Sequence, residues 1–400
     1  MHGFTGKILH VDLTNHALEV EQPSEDFYRT YMGGSLMGLY YLWKNTPAGA
    51  DAFSPENTLT LATSAPTGMP VSGQSRCTAT CKSPTTGGVA DSQAGGFWPT
   101  ELKFAGFDAV VVKGASATPV YLWIHDGEAE LRDASHLWGK TTLEVDNMLK
   151  EELDDKKIEI AQIGPSGEKL SRFAAIMNMS NRAWGRTGTG AVMGSKKLKA
   201  IVCRGKAKIE PANKKGILAL SKKGAKDYKG GDMEEFGRYG TAGVVMPQNS
   251  DGGLPTRNWS AGYMVDAESI SGEKLYDEIL RGAKDGKQDR QGRDTCYACI
   301  VRCKRVVADE WQSKTHGNVE LIHEYGGPEY ETIATFGSYC GIDDLHAVTY
   351  ANQLCNEYGV DTISCGATLS WAMELQDREA FHREHFPKEK TTNARRVQSR

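Results

Sequence analysis

The chain lacks the features that would take it to a membrane or a polyanion. Its longest apolar runs, such as Ala109-Val110-Val111-Val112, fall far short of the roughly 20 residues that span a bilayer. The opening Met1-His2-Gly3-Phe4-Thr5-Gly6-Lys7 has no apolar stretch of the signal-peptide kind. Lysine and arginine number 47 against 51 aspartates and glutamates, a formal charge of −4. No basic block is dense enough for a nucleic-acid groove or an anionic lipid surface. These absences point to a cytoplasmic chain with no nucleic-acid and no membrane partner. The nine cysteines are an odd number, and in a reducing compartment a disulfide framework is not expected. No internal repeat is visible.

What the sequence does have is glycine, 44 of 400 residues, gathered in segments rather than spread evenly. Such loops suit a backbone that approaches something closely. The length allows two or three domains of the usual ~100 to 200 residues. Through about residue 200 the texture is strand with helical inserts. Leu9, Val11 and Leu13 alternate, as do Val120, Leu122 and Ile124, and Asp126-Gly127 is a strong hairpin turn before Ala129 and Leu131. Thr141 with Glu144 makes a capping box ahead of Leu143, Met148, Leu149 and Leu153 at helical spacing. A polar connector runs from Gly205 to Lys215. Beyond it helix dominates: Asp343 and Asp344 offer an N-terminal cap to a segment with Leu345, Val348, Leu354 and Cys355 in phase, and Gly359 is placed to end it. The expected class is α+β, with a β-rich N-terminal domain at 1–210, a mainly helical domain at 211–385 and a disordered polar tail at 386–400.

Three groups of residues could carry chemistry. Cys296, Cys299 and Cys303 form C-x2-C-x3-C, a spacing that lets a tight loop turn three sulfurs to one soft metal centre. An iron–sulfur cluster is the leading reading. A zinc knuckle completed by His316 or His323, or three unconnected thiols, are the alternatives. Gly164-Pro165-Ser166-Gly167 through Arg182-Ala183-Trp184-Gly185-Arg186 to Gly194-Ser195-Lys196 alternates glycines with arginines, a composition that suits phosphates or another anionic ligand, or a plain glycine-rich turn. It is not a P-loop, because Gly194 is followed by Ser195. A second such run surrounds Arg76 and continues to Gln93-Ala94-Gly95-Gly96. Finally, Glu329 and Glu331 stand two apart, on one side of an extended segment, where either could shuttle a proton or merely be solvated.

Together these segments resemble the tungsten-containing aldehyde:ferredoxin oxidoreductase family. The resemblance is carried by Phe4 to Leu13, the Arg76 loop, Gly164 to Lys196, Leu254-Pro255-Thr256-Arg257-Asn258-Trp259, the cysteine triplet, Gly327-Pro328-Glu329-Tyr330-Glu331-Thr332 and Asn356 to Ser364, in order to about residue 375. It implies a β-rich pterin-binding domain followed by helical domains, a tungsten (or molybdenum) bis-pterin, and a 4Fe-4S cluster. Carried over, Arg76, Gln93, Gly95, Arg182, Ala183, Gly185, Arg186, Asn356 and Asp361 fall on pterin-binding positions. Cys296, Cys299 and Cys303 fall on three of four cluster ligands, and Glu331 on a glutamate near the metal, with Glu329 the competing candidate for the catalytic proton transfer. Gln93, Asn356 and Val360 replace the commoner Asn, Asp and Leu.

The implied reaction is oxidation of an aldehyde to a carboxylate, with electrons leaving through the cluster to ferredoxin or an equivalent carrier. A homo-oligomer is compatible with it. Family chains are longer, and the part beyond this sequence would hold the fourth cysteine, a histidine and much of the second pterin's site. The rival expectations are a non-catalytic truncated remnant acting as a scaffold or electron-transfer piece, and the tungsten subunit of a benzoyl-CoA-type reductase.

Overall fold

Alternating apolar residues build two six-stranded sheets from the first half of the chain. A computed structural model describes residues 1–385; the tail assigned to disorder at 386–400 lies outside the described residues. The first sheet comprises β1 (Ile8–Asp12), β2 (Ala17–Glu21), β3 (Leu59–Ala62), β4 (Cys77–Lys82), β5 (Val89–Ala94) and β6 (Ala109–Lys113), in the order β2-β1-β6-β3-β4-β5. The second comprises β7 (Val120–His125), β8 (Glu128–Asp133), β9 (Glu159–Ile163), β10 (Ile176–Asn178), β11 (Arg182–Trp184) and β12 (Leu198–Arg204), in the order β11-β10-β9-β12-β7-β8. Each sheet holds one parallel pair, β1 with β6 and β12 with β7, among antiparallel neighbours.

One apolar core joins the two sheets, drawing Leu9, Leu61 and Val110 from the first and Leu122, Ile163 and Ile201 from the second. Two fully buried tryptophans, Trp98 and Trp184, meet edge-on at 5.4 Å in this core. Each finds a partner for its indole N–H: Trp98 donates to the Ile201 carbonyl and Trp184 to that of Cys77, both at 2.9 Å. Burial of such large rings is favourable only with that polar handle satisfied. The N-terminal segment is pinned by a buried ion pair, Lys103 with Asp108 at 2.7 Å, because Asp108 also accepts from Thr5 and Gly6 and Lys103 donates to the Gly3 carbonyl.

The Asp126-Gly127 hairpin and the Thr141/Glu144 capping box form as expected, the former with positive φ at both turn residues. Helix follows the connector, beginning with Lys214–Tyr228, and the helix Leu345–Tyr358 is capped by Asp344 and closed by Gly359 in the left-handed region. Two small antiparallel pairs interrupt this half: Arg293–Asp294 with Lys304–Arg305, and Asp309–Ser313 with Gly317–Leu321. A second core, with Val245, Leu275, Ile333 and Val348, fills it. No helix among the described residues is long and apolar enough to cross a membrane.

Candidate functional site

The cysteine triplet occupies the loop between the two short strands Arg293–Asp294 and Lys304–Arg305. Two residues turn it by adopting positive φ, Ala298 at 54° and Arg302 at 52°, each directly before a cysteine. The turn is held from below by Arg305, which is fully buried and donates to the carbonyls of Arg302 (2.8 Å), Cys303 (3.3 Å), Gly237 (2.8 Å) and Arg238. Burial pulls its guanidinium down to about 10, still charged at neutral pH. From the second sheet, Arg182 donates to the Thr295 carbonyl at 2.8 Å and to Asp294 at 3.3 Å. From the first, Ser72 accepts the Ile300 N–H, Gln74 donates to the Tyr297 carbonyl, and Gly96 donates its N–H to Cys296 Sγ at 3.1 Å.

The loop therefore closes a cavity of about 360 Å3 against the ends of β5 and β11. Nine of the sequence-selected residues line it: Arg76, Gln93, Gly95, Arg182, Ala183, Cys296, Cys299, Cys303 and Glu329. A Cβ at Gly95 would stand 2.9 Å from Cys296 Sγ and 3.6 Å from an Arg76 nitrogen, so the bare backbone is what lets loop and strand meet. The three thiols surround the cavity, and among the described residues no three His, Cys, Asp or Glu side chains close on a single ion. Burial and the neighbouring Glu329, Cys296 and Cys299 push the Cys303 thiol up. Arg76, Arg182, Arg302 and Lys304 supply positive charge around the sulfurs. The two histidines considered as zinc ligands lie elsewhere: His316 bonds Thr315 on the Asp309–Leu321 hairpin, and His323 faces Glu324 in a separate cavity.

The other selected residues are not on this wall. Gly185 and the exposed Arg186 lie on an adjoining face over the buried Asp361, where a Gly185 Cβ would be 3.6 Å from Asp361 and Arg186 stands 3.7 Å from the same carboxylate. Asp361 also caps the last helix through the N–H groups of Ile363 and Ser364. Tyr339 borders this face; burial raises its hydroxyl, and both Glu331 and Arg186 act on it. Asn356 is buried and donates to the Tyr325 carbonyl at 2.8 Å, whereas Asn352, one helical turn earlier, lines the cavity.

The two glutamates part company because the segment is not extended. Glu329 sits at the start of the short helix Tyr330–Ile333, and two residues of helix turn a side chain by about 200°. Glu329 faces the cavity, paired with Lys304 at 3.1 Å and accepting from Thr241 at 2.5 Å. Burial alone would raise its carboxyl, but Lys304, Thr241 and Arg182 outweigh that and hold it below the ordinary carboxylate range. Glu331 is exposed. The glycines between 164 and 194 also differ from expectation. Cβ atoms at Gly188, Gly190 and Gly194 would fall 2.2, 2.4 and 2.0 Å from the carbonyl oxygens of Arg172, Ala175 and Gly167, so these glycines serve close packing of the chain on itself. Sequence reasoning missed Arg305, Lys304, Asn352 and Thr241. Only the first two carried a signal, as cations beside a thiol cluster.

The two sheets and the cysteine loop of this α+β chain enclose a thiol-lined cavity ringed by arginine and lysine side chains. A family model described as "Aldehyde ferredoxin oxidoreductase, N-terminal domain" matches residues 8–205, and one described as "Aldehyde ferredoxin oxidoreductase, domains 2 & 3" matches residues 219–397. The chain belongs to the aldehyde ferredoxin oxidoreductase family. It is 41% identical, over 96% of its length, to the tungsten-containing aldehyde ferredoxin oxidoreductases of Pyrococcus abyssi and Pyrococcus horikoshii. It spans 60% of each of those relatives. A solved structure titled as the active-site complex BamBC of benzoyl coenzyme A reductase with 1,5-dienoyl-CoA superposes with a TM-score of 0.78 at 26% identity, covering 98% of this chain and 58% of that one.

Proposed function

We propose that this chain supplies the cluster wall and a large part of the pterin site of a cytoplasmic tungsten enzyme. That enzyme oxidises aldehydes and passes electrons to ferredoxin or an equivalent carrier. The observation that carries the reading is the meeting of three cysteines, Arg76, Arg182 and a Cβ-free Gly95 on one cavity, with a backbone N–H aimed at a sulfur. Thiolates around a space, rather than around a point, suit a polynuclear cluster, and N–H to sulfur bonds together with nearby cations stabilise its negative charge. Nine free cysteines fit a reducing compartment.

Per turnover an aldehyde and a water become a carboxylate, releasing three protons and two electrons. When bound, a tungsten or molybdenum bis-pterin supplies the two-electron chemistry and a 4Fe-4S cluster the one-electron relay. Cys296, Cys299 and Cys303 would supply three of that cluster's ligands. Arg76, Gln93, Gly95, Arg182 and Ala183 form the pterin-facing side of the cavity, and Gly185, Arg186 and Asp361 continue it onto the adjoining face, with Asn356 fixing the helix beneath. On that face the Glu331 carboxylate takes up a proton released at the substrate. Glu329, already engaged by Lys304 and Thr241, positions the cysteine wall.

Anaerobic purification with iron, sulfide and tungsten assays, EPR after dithionite, and aldehyde-dependent dye reduction tests this. Iron with sulfide and tungsten or molybdenum is the expected result. Stoichiometric zinc without iron would sink it, and little metal of any kind would favour a non-catalytic scaffold or electron-transfer piece. The likeness to the benzoyl coenzyme A reductase complex supports a second reading, as the tungsten subunit of such a reductase. The higher identity to the aldehyde-named relatives, 41% against 26%, ranks it second. Reduction of benzoyl-CoA without aldehyde oxidation would reverse that order.

A further inference from the structure

The connector and the helix after it collect positive charge. From Lys206 to Lys229 the chain carries eight lysines against Glu210 and Asp227, within a protein whose formal charge is −4. Spread along the sequence these residues are no dense block. The fold, however, lays them against the cysteine loop at both ends of the stretch. At its start, Lys206, Lys208 and Lys214 share with Lys157 and Arg204 an open groove of about 810 Å3. The ring of Tyr297, the residue after Cys296, lines the same groove and meets Phe104 edge-on at 5.5 Å. At its end, Tyr228 donates its hydroxyl to the Val301 carbonyl, between Cys299 and Cys303, at 3.4 Å.

The groove is firmly built and its lining is net positive, Lys157, Arg204, Lys206, Lys208 and Lys214 against Glu101 and Glu210. Ala207 donates its N–H to the Phe104 carbonyl, Gly205 donates to Glu101, and the Glu210 carbonyl accepts from Gly3, so the connector's backbone is fixed. Arg204 is neutralised by Glu101 and Asp155. Lys157, Lys206, Lys208 and Lys214 are exposed and form no ion pair among the described residues. The helix Lys214–Tyr228 buries no residue, which leaves its lysines facing outward.

We infer that this lysine-lined groove, floored by Tyr297, is the docking face for a small acidic electron-transfer protein. The inference rests on the redox reading of the cysteine cavity. A carrier that must arrive, accept one electron and leave needs fast, weak association over a small area. Exposed complementary charge provides that by steering the encounter without a large buried interface. A local positive field on a net-negative surface also orients the approach. Tyr297, the residue after Cys296, lines the groove, so a carrier docked there sits against the chain of a cluster cysteine.

The test uses the 400-residue chain purified anaerobically with its iron content recorded, and an acidic 4Fe-4S ferredoxin as probe. Dissociation constants are measured at 20 and 300 mM salt for the unaltered chain, for Lys206→Glu/Lys208→Glu/Lys214→Glu, and for a control, Lys44→Glu/Lys169→Glu/Lys314→Glu. The expected result is binding that weakens with salt, that weakens by about tenfold or more in the groove variant, and that changes less than about twofold in the control. Equal binding by both variants overturns the proposal, as does an iron-loaded chain that does not bind the ferredoxin. So does a single-stranded RNA oligonucleotide that binds the unaltered chain and is lost in the groove variant while ferredoxin is ignored. An iron-free chain would speak against the redox reading of the cysteines, whereas the charge dependence of binding is read whatever the iron content.

Discussion

Gly96 donates its backbone N–H to the sulfur of Cys296 at 3.1 Å, joining two residues 200 positions apart in sequence. The contact is allowed because the preceding Gly95 carries no side chain, its Cβ position lying 2.9 Å from the same sulfur. Gly95→Ala should therefore push the cysteine loop off the end of β5. Iron retained after anaerobic purification should fall several-fold, while the far-UV circular dichroism of the metal-free protein stays unchanged. Full iron in this variant would mean the loop can retreat without cost.

Arg182 lines the cavity where the sequence reading puts a ligand, and its guanidinium also donates to Thr295 and Asp294 of the cysteine loop. Arg182→Ala leaves a half-buried carbonyl without its partner and should lower stability by roughly 1 to 3 kcal/mol. Arg182→Lys should recover part of that loss. Urea unfolding of the metal-free chain measures it, and an unchanged midpoint would return Arg182 to a purely ligand-facing role.

The two glutamates should separate by phenotype. Glu329→Gln breaks the ion pair with Lys304 in the cavity wall and should lower iron content and thermal stability together. Glu331→Gln touches neither and should leave both unchanged, while turnover in a chain carrying its full set of cofactors falls by roughly 10²- to 10⁴-fold. Metal assay, thermal melts and steady-state kinetics on both variants decide it; if Glu331→Gln keeps full turnover, proton transfer belongs to another group.

Glu159 lies in the wall of a second cavity, and burial, reinforced by Asp146 and opposed by Lys150, raises its carboxyl from 4.5 to about 8. The folded chain thus binds a proton that the unfolded chain releases between pH 4.5 and 8. Stability from this group is fully present below pH 4.5 and is lost as pH rises toward 8. Glu159→Gln should match the unaltered protein near pH 4 and exceed it near pH 8, by an amount on the order of a few kcal/mol. Chemical denaturation at several pH values reads the difference; a constant offset would show that Glu159 does not titrate in this window.

Elements governed by local chemistry were legible in advance. Asp126-Gly127 turns a hairpin because both residues tolerate positive φ, and Thr141 with Glu144 caps a helix through contacts three residues apart. What escaped depended on distant partners. Nothing near Glu329 and Glu331 reveals that Thr241 and Lys304 fix the first while a helical turn points the second outward. Nothing in the alternation of Gly188 and Gly190 shows that the closest neighbour is the carbonyl of Arg172 or Ala175 rather than a phosphate. The cysteine spacing announced a shared centre, but its wall on β5 and β11 required the tertiary fold.

Because the cysteine loop is clasped by Ser72, Gln74 and Gly96 as well as by its own Arg305, the polar connector that divides strand-rich from helical sequence does not divide the working parts. Expressing the stretches on either side of Lys206–Lys215 as separate polypeptides would give one piece with the arginines and the bare glycine, and another with the sulfurs. The natural cut for engineering is one that leaves residues 72 to 96 and 294 to 305 on the same molecule. Chimeras between relatives should exchange these two segments as a matched set.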